Sequence, residues 1–163
     1  MADLLARASV QRVHAALSEA GIPPRITLLD LSASTAVQAS AGLGISVGQI
    51  ASSLIFRLPD DSPVLVITSG AHRVDEEHVA RQLGVTHLGR ADADYVKQWS
   101  GFSIGGVAPL GWPSSEGVTT AMDESLFAYD EVWAAAGHPH TVFPVAPEAL
   151  QRATRARVLS VRP

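Results

Sequence analysis

The segment from residue 101 to residue 115 constrains the fold of this chain more than any other. Its glycines and prolines are Gly101, Gly105, Gly106, Pro109, Gly111 and Pro113. Neither a helix nor a central strand tolerates that density, because glycine leaves the backbone free and proline removes a donor. Its apolar residues, too many for an ordinary surface loop, are Phe102, Ile104, Val107, Leu110 and Trp112. We therefore predict a loop that folds back onto the core and presents backbone groups.

The sequence on either side of this segment shows helix and strand patterns in irregular order. We predict helices at residues 4–20, 35–41, 75–83, 92–99 and 147–153, with Ser34 or Thr35 capping the second. The predicted strands are 25–31, 50–58, 64–68, 85–88, 118–122, 131–136, 141–145 and 157–161, with a turn or short helix at 123–127. The 50–58 and 64–68 strands form a hairpin. This order predicts an α+β fold with a mixed, barrel-like β-sheet of about seven strands surrounded by helices.

Length and composition predict one globular domain spanning residues 1–163. Hydrophobic residues make up 47% and charged residues 17% of the chain, which is ordinary for a folded protein. No segment approaches the roughly 20 apolar residues of a membrane helix. Charged residues break the first 17 positions, which argues against a secretion signal. The absence of cysteine excludes disulfides, thiolate metal sites and cysteine nucleophiles, and it fits the cytoplasmic protein that we expect. We also expect a monomer with no membrane partner.

The net charge of −4 argues against a protein that coats long nucleic acid, since phosphate neutralisation drives such binding. Contact with the tip of a nucleic acid stays open. Four arginines cluster near the C-terminus: Arg152, Arg155, Arg157 and Arg162. This pattern indicates a solvated helix face and edge strand.

Three familiar kinds of site are weakly represented. The glycines from Gly42 to Gly48 miss the dinucleotide-binding spacing by one residue. The histidines, closest together at His138 and His140, lack an acidic partner at helical spacing, so we expect no metal. The pattern Gly101-x-Ser103-x-Gly105 matches a nucleophile elbow, with Asp123 or Asp130 and then His138 or His140 as triad partners. That elbow needs a preceding strand and a following helix, whereas this sequence predicts a helix before it and none after it.

The stretch Gly105-Gly106-Val107-Ala108-Pro109 is the strongest candidate for chemistry. Consecutive glycines let backbone N–H groups approach a ligand, where they can stabilise the oxyanion formed when water attacks an ester. Pro109 would stiffen the loop and preorganise those donors. A purely structural Gly-Gly turn is the alternative.

The Gly105-x-x-x-Pro109 pattern resembles the loop of the YbaK/prolyl-tRNA synthetase-associated editing domains. The resemblance extends from about Leu28 to Leu159 and includes the stretches Ser34-Thr35, Gln49–Phe56, Trp99–Phe102, Asp123–Leu126 and Pro147–Leu150. It implies hydrolysis of the ester that joins a misattached amino acid to the terminal ribose of transfer RNA. It also implies that no side-chain nucleophile, metal or other cofactor takes part. The loop would position the carbonyl and the water, assisted by the neighbouring ribose hydroxyl.

The resemblance also assigns site residues. Gly105, Gly106, Pro109 and Ser52 occupy the catalytic positions, and Ser52 stands where many members carry a lysine that would hold the phosphate or ribose of the terminal nucleotide. Serine brings one hydroxyl and no charge, so Arg73 is our candidate substitute cation. Apolar residues that would shape the amino-acid pocket are Ile50, Leu54, Phe56 and Val107. The further substrate-binding candidates are Thr35 and His140. Asp123 has two open roles, because its carboxylate could hold the amino group of the substrate or could equally cap the turn at 123–127.

Three hypotheses follow. The first is a free-standing deacylase acting in trans on the 3′ end of aminoacyl-tRNA, with or without a synthetase partner. The second, motivated by Ser52, is a module that binds this 3′ end with weak or no activity. The third is a serine esterase that uses Ser103.

Overall fold

The computed structural model describes residues 2–30 and 35–163. Its helices are α1 (Ala8–Glu19), α2 (Ala36–Leu43), α3 (Glu76–Leu83), α4 (Ala93–Ser100) and α5 (Pro147–Thr154). Its strands are β1 (Thr27–Leu28), β2 (Ile50–Arg57), β3 (Pro63–Ser69), β4 (Gly89–Arg90), β5 (Thr119–Asp123), β6 (Val132–Ala135), β7 (Thr141–Val145) and β8 (Arg157–Leu159). Single 3₁₀ turns at Ala2–Leu4, Val47–Gln49 and Glu124–Ala128 complete the described elements.

Local capping signals set most of the helix boundaries. The side chains of Asp75 and Asp92 accept the backbone N–H of the residue three positions on, as N-caps do. Thr35 does the same for α2, while the alternative cap Ser34 lies outside the described residues. At the other end, α2, α3 and α4 each stop at a glycine in the left-handed conformation.

The strands form one mixed sheet in the order β1-β7-β6-β2-β3-β5-β8, with β4 attached to β2. The predicted hairpin is confirmed as the antiparallel pair β2–β3, which runs from Ala51↔Ser69 to Arg57↔Pro63. Three pairs, β2–β6, β3–β5 and β5–β8, are parallel. The path ends at β1 and β8 without closing. The predicted α+β class with a mixed sheet is therefore confirmed, and the sheet is open.

Several predicted boundaries were wrong for tertiary reasons. The predicted strand 85–88 is irregular, and the strand lies instead at Gly89–Arg90, where it pairs with Phe56–Arg57 of β2. Of the predicted strand 25–31, only Thr27–Leu28 pair with β7 among the described residues, and position 31 lies outside them. The first helix begins at Ala8 rather than residue 4, after a separate 3₁₀ turn.

Two apolar clusters cover the faces of the sheet. The larger cluster packs three parts of the chain against one face: α1, the segment that follows α4, and helix α5. It includes Val13, Leu17, Phe102, Val107, Leu110, Phe143 and Leu150. The smaller one packs α3 on the other face, and includes Val64, Val66, Val79, Ala80 and Leu159. Within the described part of the chain, no helix is both long and apolar enough to cross a membrane.

Candidate active site

A cleft of about 590 Å³ opens at an interruption in the sheet. Strand β3 pairs with the whole of β2, but on the opposite edge β6 reaches only Ile50–Ala51 and β4 only Phe56–Arg57. Residues 52–55 of β2 therefore have no strand partner on that edge among the described residues, and this stretch forms the floor of the cleft. The first turn of α2, the loop after α4 and the turn between β6 and β7 form its walls.

The residues from Gly105 to Pro109, which we call the glycine loop, form one wall. Gly105 has a φ of +93°, and a Cβ on Gly106 would lie 2.9 Å from the Cα of His138. The loop needs glycine at the first position for its backbone conformation and at the second for close approach. The N–H of Gly106 donates to the carbonyl of Ser103 at 3.0 Å, so this amide is already used within the protein.

Two residues of the glycine loop carry backbone amides that the described part of the chain leaves without an acceptor. Gly105 and Val107 both line the cleft. Neither backbone N–H finds an acceptor among residues 2–30 and 35–163. The indole Nε1–H of Trp112 donates to the carbonyl oxygen of Ala108 at 2.8 Å, which holds this part of the loop in place. Chemically, such a wall offers preorganised neutral donors to an oxygen that becomes negative during a reaction.

The structure brings together most of the predicted site residues. The predicted residues that line the cleft are Thr35, Ile50, Ser52, Leu54, Phe56, Gly105 and Val107. Thr35 also caps α2, and Ser52 lies opposite Thr68 on β3. Gly106 and Pro109 are buried within the glycine loop rather than at the cleft surface.

Three predicted residues lie away from the lining. Arg73 is exposed in the turn after β3 and does not line the cleft, so the expected substitute for the lysine charge is not placed there. His140 is outside the lining too, and its Nδ1 is buried without a partner in the described structure. Its neighbour Pro139 lines the cleft in its place.

Asp123 is the third, and its side chain is buried and hydrogen-bonded to other groups of the protein. It is 1% exposed. One carboxylate oxygen accepts the N–H of Ser69 at 3.0 Å, and the other accepts both the N–H and the hydroxyl of Ser125 at 2.9 and 2.7 Å. Burial alone would raise the pKa of Asp123, but these bonds and His72 at 3.2 Å outweigh it and hold the pKa below its ordinary value. The geometry favours the capping role for Asp123 over the anchoring of a substrate amino group.

The elbow pattern around Ser103 lacks its structural context. Helix α4 ends immediately before it at Ser100, and no helix follows. Ser103 is exposed, and within the described chain its hydroxyl has no histidine partner. Asp123 contacts His72 rather than His138 or His140. Burial lowers the pKa of His138 below its ordinary value, and the nearby Arg7 and His140 lower it further.

Sequence reasoning missed other parts of the cleft wall. They include Leu29, Ala36, Ala39, Ser53, Ile104, Trp133, Pro139 and Val142. The proline of His138-Pro139-His140 lies close to the glycine loop, since its Cγ would be 3.6 Å from a Cβ on Gly105. This proline is the feature of the sequence that could have indicated a rigid turn beside the loop. None of the described residues that line the cleft is charged. No cluster of three or more metal-binding side chains occurs among the described residues.

Comparisons with known proteins agree with this geometry. The model of the aminoacyl-tRNA editing domain matches residues 31–153. The uncharacterized protein YwhH of Bacillus subtilis (strain 168) is 27% identical over 133 residues, which are 82% of this chain and 83% of that protein. A solved structure of a candidate trans-editing enzyme for prolyl tRNA synthetase is 34% identical, with a TM-score of 0.88 over 96% of this chain and 98% of that one. The hypothetical protein APE2540 shares the fold, with a TM-score of 0.82 at 24% identity over 92% of this chain and 98% of its own.

Proposed function

Because this chain belongs to the aminoacyl-tRNA editing domain family, we propose that it hydrolyses the ester bond of mischarged aminoacyl-tRNA in trans. The observation that carries the proposal is that Gly105 and Val107 line an apolar cleft and that their backbone N–H groups have no acceptor among the described residues. The structural neighbour described as acting for prolyl tRNA synthetase makes transfer RNA charged by that synthetase the first substrate to test.

In the proposed reaction, the 3′ end of the transfer RNA enters the cleft with its aminoacyl ester. Water attacks the ester carbonyl, and the carbonyl oxygen becomes negative beside the N–H groups of Gly105 and Val107. The bond between the acyl carbon and the ribose oxygen then breaks, which releases a free amino acid and a ribose hydroxyl. The adjacent ribose hydroxyl of the substrate assists, and this protein supplies no nucleophile, metal or other cofactor. Removal of one such donor typically costs a factor of about 10²–10³ in rate.

The cleft acts as a second sieve for the amino acid. One methylene changes pocket affinity by only about 1–3 kcal/mol, so a synthetase alone discriminates poorly between near-isosteres. The lining residues Leu54, Ile104 and Val142 are apolar and uncharged. Burying a charge without a partner is unfavourable, so we expect the side chain of the edited amino acid to be uncharged.

The decisive experiment measures deacylation of a panel of mischarged transfer RNAs by wild type and by Gly105→Ala. A Cβ at a φ of +93° strains the backbone and shifts the amides, and a shift of about 1 Å can cost 10²-fold. We therefore expect Gly105→Ala to lose about 100-fold in kcat. The matched control is Gly42→Ala, since a Cβ there meets nothing within 4 Å and Gly42 is an exposed helix residue. If no ester is hydrolysed above the blank rate, the deacylase proposal is rejected.

A second candidate function is a binding module with weak or no activity, and the uncharged lining around Ser52 favours it. Ser52→Lys tests this alternative. If wild type binds aminoacyl-tRNA without cleaving it and Ser52→Lys restores cleavage, the binding module is the correct description. Ser103→Ala distinguishes the deacylase and the binding module from a serine esterase. A serine esterase that uses Ser103 would be inactive in this variant.

A further inference from the structure

Helix α1 holds both ends of the segment that carries the glycine loop, and it does so through one side chain. Nη2 of Arg12 donates to the carbonyl of Gly101 at 2.9 Å, and its Nε donates to the carbonyl of Gly111 at 3.3 Å. The guanidinium carbon lies 4.9 Å from the ring centroid of Phe102. One planar cation therefore joins two backbone positions that are ten residues apart, with the glycine loop between them.

The backbone at both contact points is built for this close approach. Gly101 has a φ of +78° and Gly111 a φ of +82°, which few side chains tolerate. A Cβ on Gly101 would lie 2.6 Å from Nη2 of Arg12, and one on Gly111 would lie 3.2 Å from the Cα of Val13. The two ends of the segment are thus seated directly against α1.

The same helix supports the turn that packs against the glycine loop from the other side. Gly137 has a φ of +103°, and a Cβ there would lie 2.7 Å from the carbonyl oxygen of Ser9. The next residue, His138, packs so closely against Gly106 that a Cβ on Gly106 would lie 2.9 Å from its Cα. Both structures that flank the free amides therefore take their position from α1, which precedes the family match at residues 31–153.

We propose that Arg12 is a positioning residue for the glycine loop, which sets where the amides of Gly105 and Val107 lie without contacting the substrate. The proposal rests on the proposed function, because those amides are its oxyanion donors. Arg12 is not among the residues that line the cleft. Lysine cannot replace it, since a single ammonium lacks the rigid fork that reaches two carbonyls at once.

The test compares steady-state deacylation by wild type, Arg12→Met and Arg12→Lys. We expect kcat to fall about 10- to 100-fold in both variants, since donor placement governs the chemical step. We expect KM to change less than about twofold, because the lining is untouched. Arg81→Met is the matched control, as Arg81 is an exposed arginine on α3. In Arg12→Ala, added guanidinium ion should restore part of the lost kcat by occupying the vacated position.

Two results would overturn the proposal: a wild-type kcat in Arg12→Met, or a loss in Arg12→Ala that guanidinium ion does not reverse. If wild type cleaves no ester, the proposed function fails, and amide hydrogen exchange then tests Arg12 by itself. Faster exchange at Gly105 and Val107 in Arg12→Met than in Arg81→Met supports the positioning role. Equal exchange in the two variants contradicts it.

Discussion

At the scale of single residues, Asp123 gives the clearest pH-dependent prediction. The hydrogen bonds from Ser69 and Ser125 stabilise its ionised form in the folded state and hold its pKa below the ordinary value. The folded-state pKa is thus lower than the unfolded one, so the carboxylate stabilises the protein above the unfolded pKa of about 3.9. That contribution disappears as the pH falls through the folded-state pKa.

Asp123→Asn should therefore lower the free energy of unfolding by about 1.5–3 kcal/mol at pH 7, which is typical for hydrogen bonds to a charged group. The difference from wild type should persist down to about pH 4 and shrink below it. Urea denaturation at pH 7, 5 and 3 measures this, with the exposed Asp130→Asn as control. A difference as large at pH 3 as at pH 7 would show that the carboxylate charge is not the cause.

Residues whose role depends on near neighbours in sequence could be predicted, and those that depend on distant contacts could not. The high density of glycine predicted the loop at 105–109, and the structure places that loop at the cleft. The choice between capping and substrate binding at Asp123 needed its contacts with Ser69, which is 54 residues away. Arg12 carried no local signal at all, because its partners Gly101 and Gly111 are 89 and 99 residues away.

At the scale of elements, the same contrast holds. Helices α3 and α4 could be predicted almost to the residue, since Asp75, Asp92, Gly84 and Gly101 are local start and stop signals. Strand β4 could not be predicted in this way, because Gly89–Arg90 is a strand through its pairing with the distant residues Phe56–Arg57. The apolar residues Val85 and Leu88 pack beside α3 instead of forming a strand, so composition there indicated burial rather than backbone conformation.

The ends of α3 and α5 provide a matched test of helix termination. Gly84 ends α3 with a φ of +74°, whereas Arg155 ends α5 with a φ of 55°. A non-glycine residue in this left-handed region is strained, so Arg155→Gly should raise the free energy of unfolding by about 0.5–1 kcal/mol. Gly84→Ala should lower it by about 1 kcal/mol, although a Cβ there meets nothing within 4 Å. Thermal and urea denaturation check both, and changes of the same sign would contradict the backbone explanation.

At the scale of the whole molecule, the cleft is a property of the sheet and not of any one element. It exists because β6 and β4 each pair with one end of β2 and leave residues 52–55 between them. The β2–β6 pair is parallel and joins residues more than 80 positions apart, for example Ile50 and Trp133. Local periodicity contains no information on such pairing, so a mixed sheet could be predicted but its strand order and its interruption could not.

The continuity of this sheet predicts one cooperative unfolding transition for the chain. Strand β1 near the N-terminus connects through five intervening strands to β8 near the C-terminus, and both apolar clusters pack on that sheet. Strands β3 and β5 each supply residues to both clusters, so loss of either strand removes partners from both, and partly unfolded forms should be too unstable to accumulate. The three tryptophans report on separate places, with Trp99 on α4, Trp112 beside the glycine loop and Trp133 on β6.

Variants that retain only Trp112 or only Trp133 should therefore show the same melting temperature by fluorescence, equal to that from far-ultraviolet circular dichroism of the same variant. The comparison also bears on the chemistry, because a glycine loop that melted first would not keep its amides preorganised at the working temperature. An earlier transition seen by Trp112 alone would make that segment a separate folding unit. Coincident transitions would mean that the donors of the cleft are as stable as the sheet, since Arg12, Trp112 and His138 tie the segment to α1, to its own backbone and to the β6–β7 turn.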